Sequence, residues 1–233
     1  MPTKVIAAKQ LTAWSYSRLS TYQTCPAKAK YQFIDKMVSA PNEAMARGSQ
    51  IHTLSEQYVN GALKTLPKEL ESFTAEYKHL RKLWGQRNKP GKPQVFAELQ
   101  WGFNKDWVVC EWFGKACWLR VVIDIMVDSD TEMDVIDVKT GQVRDEHKEQ
   151  LSLYAAAAFS KSPSVEKVNT KLWYVDKGIE VVETYERELH EAQIKQWNKA
   201  AKPLLSDRNF APKPSGLCRW CDFSVSKGGP CKY

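Results

Sequence analysis

No stretch of the chain approaches the roughly 20 consecutive apolar residues of a membrane-spanning helix, and Met1 to Ser20 has no apolar core of a secretory signal. A soluble protein of the reducing cytoplasm, without membrane contact, is therefore expected. No G-x-x-x-x-G-K-[ST] occurs, which excludes a P-loop motor. There is no internal repeat, low-complexity tract or long linker, and neither helix-turn-helix nor zinc-finger spacing. Acidic residues are outnumbered: 27 Asp and Glu stand against 34 Lys and Arg, a formal charge of +7 with a pI near 9.0. That balance favours a polyanionic partner. With 43% hydrophobic residues the 233-residue chain can bury a sizeable core, and a single domain over 1–233 is expected.

Trp14 to Ser20 offers several helix caps and Cys25-Pro26 restarts the pattern, so the N-terminus reads as a broken helix reaching Met37. Asn42 to Val59 carries Ile51, Leu54 and Tyr58 on one helical face, with His52 beside that stripe and an end near Gly61. Lys64 to Gln94 reads as a basic amphipathic helix closing in Lys89-Pro-Gly-Lys-Pro93. The period then changes. Val95–Gly102, Trp107–Trp112, Cys117–Asp128 and Met133–Thr140 read as a four-stranded meander, followed by a helix over Asp145–Phe159, a strand over Lys171–Asp176 and a long helix over Glu186–Leu204. Pro212 to Tyr233 is a Pro, Gly and Cys tail without periodicity.

The third and fourth strands carry the chemistry. If Ser129 to Glu132 form a four-residue turn, paired residue numbers sum to 261 and Asp124 lies opposite Asp137. Carboxylates facing each other across a sheet repel unless a cation or proton lies between them, and a divalent metal is the natural occupant. Strand alternation puts Lys139 on the same face as Asp137, where an ammonium can orient water or stabilise a charged phosphorane. Two acids and a lysine make a site for phosphodiester hydrolysis. On the same reading Leu119, Val121, Ile123, Ile125 and Val127 fill one face, while Val122 and Met126 flank Asp124 on the other. The bland alternative is an exposed hairpin in which Asp124 pairs with Arg120 or Lys139. Against it stands the company of His52 on a helix and of Gln150 and Tyr154 at i, i+4 on another.

At these residues the sequence resembles the PD-(D/E)XK nuclease superfamily, and within it the RecB-like exonucleases, including CRISPR-associated ones. Arg47-Gly48-x-x-x-His52 resembles the helical histidine motif, Val122-Ile123-Asp124 the first acidic motif, Asp137-Val138-Lys139 the (D/E)-x-K, and Gln150-x-x-x-Tyr154 the Q-x-x-x-Y. The resemblance implies an α/β restriction-endonuclease-like core, a mixed central sheet flanked by helices. It also implies that His52, Asp124, Asp137 and the Val138 carbonyl bind Mn²⁺ or Mg²⁺. Lys139 is then catalytic, and Gln150 and Tyr154 position DNA or the lysine. Glu98 is either a further acid of this site or a solvated strand residue. The implied activity is a metal-dependent exonuclease acting on single-stranded DNA ends, in recombination, repair or phage DNA processing. Without a P-loop motor it is expected to be either a stand-alone nuclease or a subunit that borrows unwinding from a helicase or recombination partner. A non-catalytic DNA-binding subunit and a nuclease trimming DNA for CRISPR adaptation are the alternatives.

Six cysteines in a cytosolic chain are read as free thiols or metal ligands. Cys218-Arg-Trp-Cys221 and Cys231 lie in a tail with too few apolar residues to order itself, and three thiolates need a fourth ligand, for which Cys25 is the candidate. One N-terminal and three C-terminal cysteines resemble the [4Fe-4S] arrangement of iron–sulfur RecB-like nucleases. A clasp joining the two chain ends, residues 20–40 with 214–233, is thus expected. Structural Zn²⁺ on the same four thiols is the competing reading. Cys110 and Cys117 would face each other across a tight turn at Phe113-Gly114, as apolar core residues. For nucleic acid, the lysines and arginines between Lys64 and Lys92 offer phosphate contacts, and nine Trp and nine Tyr offer stacking platforms for unpaired bases.

Overall fold

A computed structural model describes residues 10–39 and 42–233; Met1 to Lys9, where the expected domain and the signal reading begin, and Ala40, at the end of the expected clasp segment, lie outside the described residues. Helix α1 (Tyr16–Thr24) is capped by Ser15 and stops at Cys25, where Pro26 opens the short α2 (Pro26–Ala29), continued by a π-helical turn over Lys30–Ile34. Helix α3 (Glu43–Val59) begins at Asn42, whose side chain accepts from the Ala44 and Met45 amides. A 3₁₀ turn (Lys68–Phe73) leads into α4 (Thr74–Trp84). Strands β1 (Gln94–Phe103), β2 (Val109–Cys110), β3 (Leu119–Ser129) and β4 (Glu132–Lys139) follow, then α5 (Asp145–Lys161), β5 (Lys167–Tyr174), β6 (Ile179–Glu186) and α6 (His190–Ser206).

The six strands form one mixed sheet in the order β2-β1-β3-β4-β5-β6. Only β4 and β5 run parallel, with α5 as the crossover between them. One apolar layer, including Leu119, Val121, Ile123, Met133 and Val135 of the sheet, packs on α5 and α6; its run Ala155–Ala158 is fully buried, small enough to let α5 lie against the sheet. A second layer, with Val95, Ile125, Val127, Ile136 and Val138, packs on α3 and α4, where the Tyr77 hydroxyl donates to Ser55 Oγ at 2.9 Å.

The hairpin between β3 and β4 has the expected register, Asp128 opposite Met133 and Ile125 opposite Ile136. Four expectations need correction. Leu119, Val121 and Ile123 do not share a layer with Ile125 and Val127, because alternation breaks at Asp124; β1 breaks in the same place, with Val95 and Ala97 in one layer and Leu99, Trp101 and Phe103 in the other. Opposite Asp124 in the register, Glu98 takes a left-handed φ of 52°. Trp107–Trp112 is not a full strand: it shrinks to a two-residue β2 that pairs with β1, since Asn104 and its neighbours fold into a turn capped by the Asn104 side chain. Consecutive turns at Glu111–Gly114 and Gly114–Cys117 replace the tight hairpin expected to join Cys110 and Cys117. Burial, and then the nearby Cys117, raise the Cys110 pKa. The last helix begins at His190 because Ile179–Glu186 forms an eight-residue edge strand that the sequence pattern does not announce.

Candidate active site

The ladder between β3 and β4 ends at Ile125 and Ile136, one pair short of the two acids, while β3 stays paired with β1 and β4 with β5 out to Lys139. Where the strands part, a cleft of about 750 Å³ opens, lined by residues of α1, α3, β1, β3, β4 and α5. His52, Glu98, Asp124, Asp137, Lys139, Gln150 and Tyr154 all line it.

Asp124 is 6% and Asp137 3% exposed, so neither carboxylate is solvated and each depends on protein partners. Asp124 Oδ2 accepts the Val138 amide at 2.7 Å, a bond across the point where the ladder has stopped, and Oδ1 lies 3.0 Å from His52 Nδ1. Burial, and then the neighbouring Asp137 charge, push the Asp124 pKa up. Its hydrogen bond to His52, supported by the surrounding carboxylates, raises the histidine pKa against the opposing effect of burial. Ile51, Ser55, Tyr58 and Val59 bury one side of α3, which holds His52 at its rim above the acids. Glu98 has its pKa raised by burial and by Asp124.

Asp137 belongs to a closed ring of polar contacts. Tyr154 OH donates to Asp137 Oδ1 at 2.9 Å, Gln150 Nε2 donates to Tyr154 OH, and Lys139 Nζ donates to Gln150 Oε1 at 3.2 Å. Lys139 Nζ also forms an ion pair with Asp137 Oδ2 at 2.5 Å, which closes the ring. The spacing of Gln150 and Tyr154 thus has a mechanical meaning: one helix turn spans the distance from the lysine to the acid. Burial disfavours the Lys139 charge, but Asp137 outweighs it and holds the lysine pKa above its ordinary value. Asp124 does not pair with Arg120 or Lys139, which removes the exposed-hairpin alternative.

The donor atoms of His52, Glu98 and Asp124 lie within 4.8 Å of one another, the one such group among the described residues. Two carboxylates and an imidazole suit Mn²⁺ or Mg²⁺, and Asp137, ion-paired with Lys139, lines the same cleft. The Val138 side of the site contributes its N–H to Asp124.

The sequence profile of the PD-(D/E)XK nuclease superfamily matches residues 13–226. The chain belongs to this superfamily. Its six-stranded mixed sheet with flanking helices fits the PD-(D/E)XK core. No curated protein sequence matches the chain. Among solved structures, the protein named "Putative exonuclease" from Eubacterium rectale has a similar fold, with a TM-score of 0.52 at 13% identity over 90% of this chain and 87% of that one. The crystal structure of SSO0001 aligns with a TM-score of 0.42 at 18% identity, over 93% of this chain and 86% of that one.

Several cleft residues escaped the sequence reading. Glu56 follows His52 by one helix turn and was legible from that spacing, whereas Ser15, Tyr16, Arg18, Trp112 and Arg120 come together only through tertiary structure. The basic residues from Lys64 to Lys92 do not line the cleft; Arg81 among them is spent on the carbonyls of Tyr58 and Leu63, at 2.5 and 2.6 Å. Cys25, Cys218, Cys221 and Cys231 line a separate cavity of about 160 Å³. All four are free thiols in this structure, and their sulfurs are not as closely grouped as the donors of the cleft. No helix of the described residues is long and apolar enough to cross a membrane.

Proposed function

We propose that the chain is a divalent-metal-dependent deoxyribonuclease that shortens single-stranded DNA from its ends. The observation carrying this reading is the grouping of His52, Glu98 and Asp124 donor atoms within 4.8 Å, beside an Asp137–Lys139 pair in one open cleft. His52, Asp124, Asp137 and the Val138 carbonyl, with Glu98 as a further acid, would hold Mn²⁺ or Mg²⁺. Such an ion, when bound, polarises a phosphoryl oxygen and lowers the pKa of water. The residues of the chain do the rest. Asp124, fixed by the Val138 amide, presents its remaining acceptor capacity to the cleft without reorganising. Lys139, kept protonated by Asp137, serves as a charged donor that orients water and offsets charge developing on the phosphorane, and not as a general base. Gln150 and Tyr154 hold that pair in register. Membership of the nuclease superfamily and the fold shared with the Eubacterium rectale protein support this reading.

The four cysteines fit a thiolate-held metal centre. All four line one cavity, and backbone amides of Lys213 and Ser215 donate to Cys25 and Cys218 Sγ at 3.4 and 3.3 Å. A [4Fe-4S] cluster is the first reading and Zn²⁺ the second; either would tie the start of the chain to its end. Work within recombination, repair or phage DNA processing beside a helicase partner, and DNA trimming for CRISPR adaptation, are the two cellular settings proposed.

Digestion of end-labelled single-stranded DNA by anaerobically purified protein in Mn²⁺, Mg²⁺ or EDTA tests the reading. Metal-dependent loss of label that Asp124→Ala and Lys139→Ala abolish is the expected result. Equal behaviour of wild type and variants, with DNA binding intact, would instead make the chain a non-catalytic DNA-binding subunit.

A further inference from the structure

The cleft has a basic end that the metal site does not use. Residues Arg120, Val122 and Asp124 alternate along β3, so Arg120 lies about 13 Å from the acid at about 3.3 Å per residue, and both line the same cleft. The segment before α1 is stitched to this point of the sheet: the Trp14 amide donates to the Trp118 carbonyl at 2.8 Å and the Arg120 amide to the Trp14 carbonyl at 2.9 Å. That junction brings Arg18, on α1, beside Arg120.

Two guanidinium groups held together repel, and burial with the nearby Arg120 charge lowers the Arg18 pKa. Among the described residues neither arginine has a carboxylate within ion-pair distance. Arg18 donates to the Ala13 carbonyl at 2.7 Å and Arg120 to the Trp112 carbonyl at 3.0 Å, which leaves most of their N–H groups without a partner among the described residues. Paired cations with free donors are the arrangement that receives a phosphate. Beside them, the Arg120 guanidinium lies 5.5 Å from the ring centroids of both Trp112 and Phe113. Phe113 is 86% exposed, far more than folding requires of a phenylalanine.

We propose that Arg18 and Arg120 bind a backbone phosphate of single-stranded DNA next to the reacting one, and that Trp112 and Phe113 stack an adjoining unpaired base. The inference rests on the nuclease reading of the same cleft and supplies its preference for single strands. A base paired within a duplex has no free face for Phe113.

Binding of fluorescent oligonucleotides in EDTA, where no strand is cut, tests it across a salt series. Arg120→Gln should weaken single-strand binding about tenfold or more, as for a hydrogen bond to a charged group, and should reduce the salt slope by about 0.7, the value for one phosphate on a single strand. Arg120→Lys should recover part of the loss. Phe113→Ala, at an exposed position where folding is not at risk, should weaken single-strand binding about fivefold or more and leave duplex binding unchanged. Tighter binding of a 5′-phosphorylated strand than of its 5′-hydroxyl counterpart, with the difference erased by Arg120→Gln, assigns the pair to a terminal phosphate. Equal binding of the two strands with equal loss assigns it to an internal diester. Wild-type affinity and salt slope in both Arg120→Gln and Phe113→Ala overturn the subsite. Cleavage by Asp124→Ala at the wild-type rate would sink the nuclease reading alone, since these binding assays need no catalysis.

Discussion

The cleft and the cysteine cavity are built on opposite principles. In the cleft, strands ordered by apolar layers on both sides carry the acids, and backbone and side-chain donors fix each carboxylate. Around the cysteines, the tail from Pro212 buries only Phe223 and Ser224 fully, and its short turns are held by local amide bonds and by a Ser224–Cys231 bridge. Even its tightest approach is of backbone on backbone: a Cβ on Gly229 would fall 2.3 Å from the Phe223 carbonyl. A site embedded in a core holds its geometry by itself, whereas the cysteine segment has little buried surface with which to do so.

The sharpest division should come from the reacting groups. Asp124→Ala and Lys139→Ala should each reduce cleavage by about a thousandfold or more, the scale of removing a preorganised electrostatic group, with thermal melting unchanged in the cysteine region. Next, Tyr154→Phe removes the donor to Asp137 Oδ1 while keeping the ring in the core. Cleavage should fall about ten- to a hundredfold, the cost of losing an outer partner of a metal ligand, with DNA affinity retained.

Core substitutions test whether the two regions are one cooperative unit. Leu151, fully buried in the core layer that contains α5, should cost about 2–5 kcal/mol of global stability on change to Ala, measured by urea unfolding. Phe223→Ala should instead expose the tail to limited proteolysis and leave the main unfolding transition near its wild-type midpoint. A large drop of that midpoint would erase the distinction drawn here. The smallest effect concerns pH. His52 has a pKa raised above 6.5 by Asp124, so in the metal-free protein the stabilisation from the protonated imidazole is in place at pH 6.5 while Asp124 stays ionised, and is lost as pH rises through the raised value. Metal binding has the opposite sign, because a ligating imidazole must be unprotonated. Mn²⁺ affinity measured by calorimetry should therefore increase as pH rises through that range.

The contrast also explains what the sequence made legible. The β3–β4 register followed from Asp128, Met133 and the short turn between them, because pairing and alternation are local. Gln150 and Tyr154 were readable because helix spacing is local too. The break in alternation at Asp124 and Glu98 was not, since it depends on two strands parting, a tertiary event with no residue signature of its own. Strand β6 was missed for a related reason: its residues are mostly exposed, so an edge strand shows no apolar period. The Arg18–Arg120 pair is 102 positions apart in sequence and exists only through the Trp14 junction.

A titration of the protein with Mn²⁺, followed by electron paramagnetic resonance on wild type, His52→Ala, Glu98→Gln and Asp124→Asn, tests the central claim most directly. One ion should bind in the cleft of the wild type, weakened at least tenfold in each variant. Undiminished binding in all three variants would contradict it, because the ion would then have no connection to the residues on which the proposed chemistry depends.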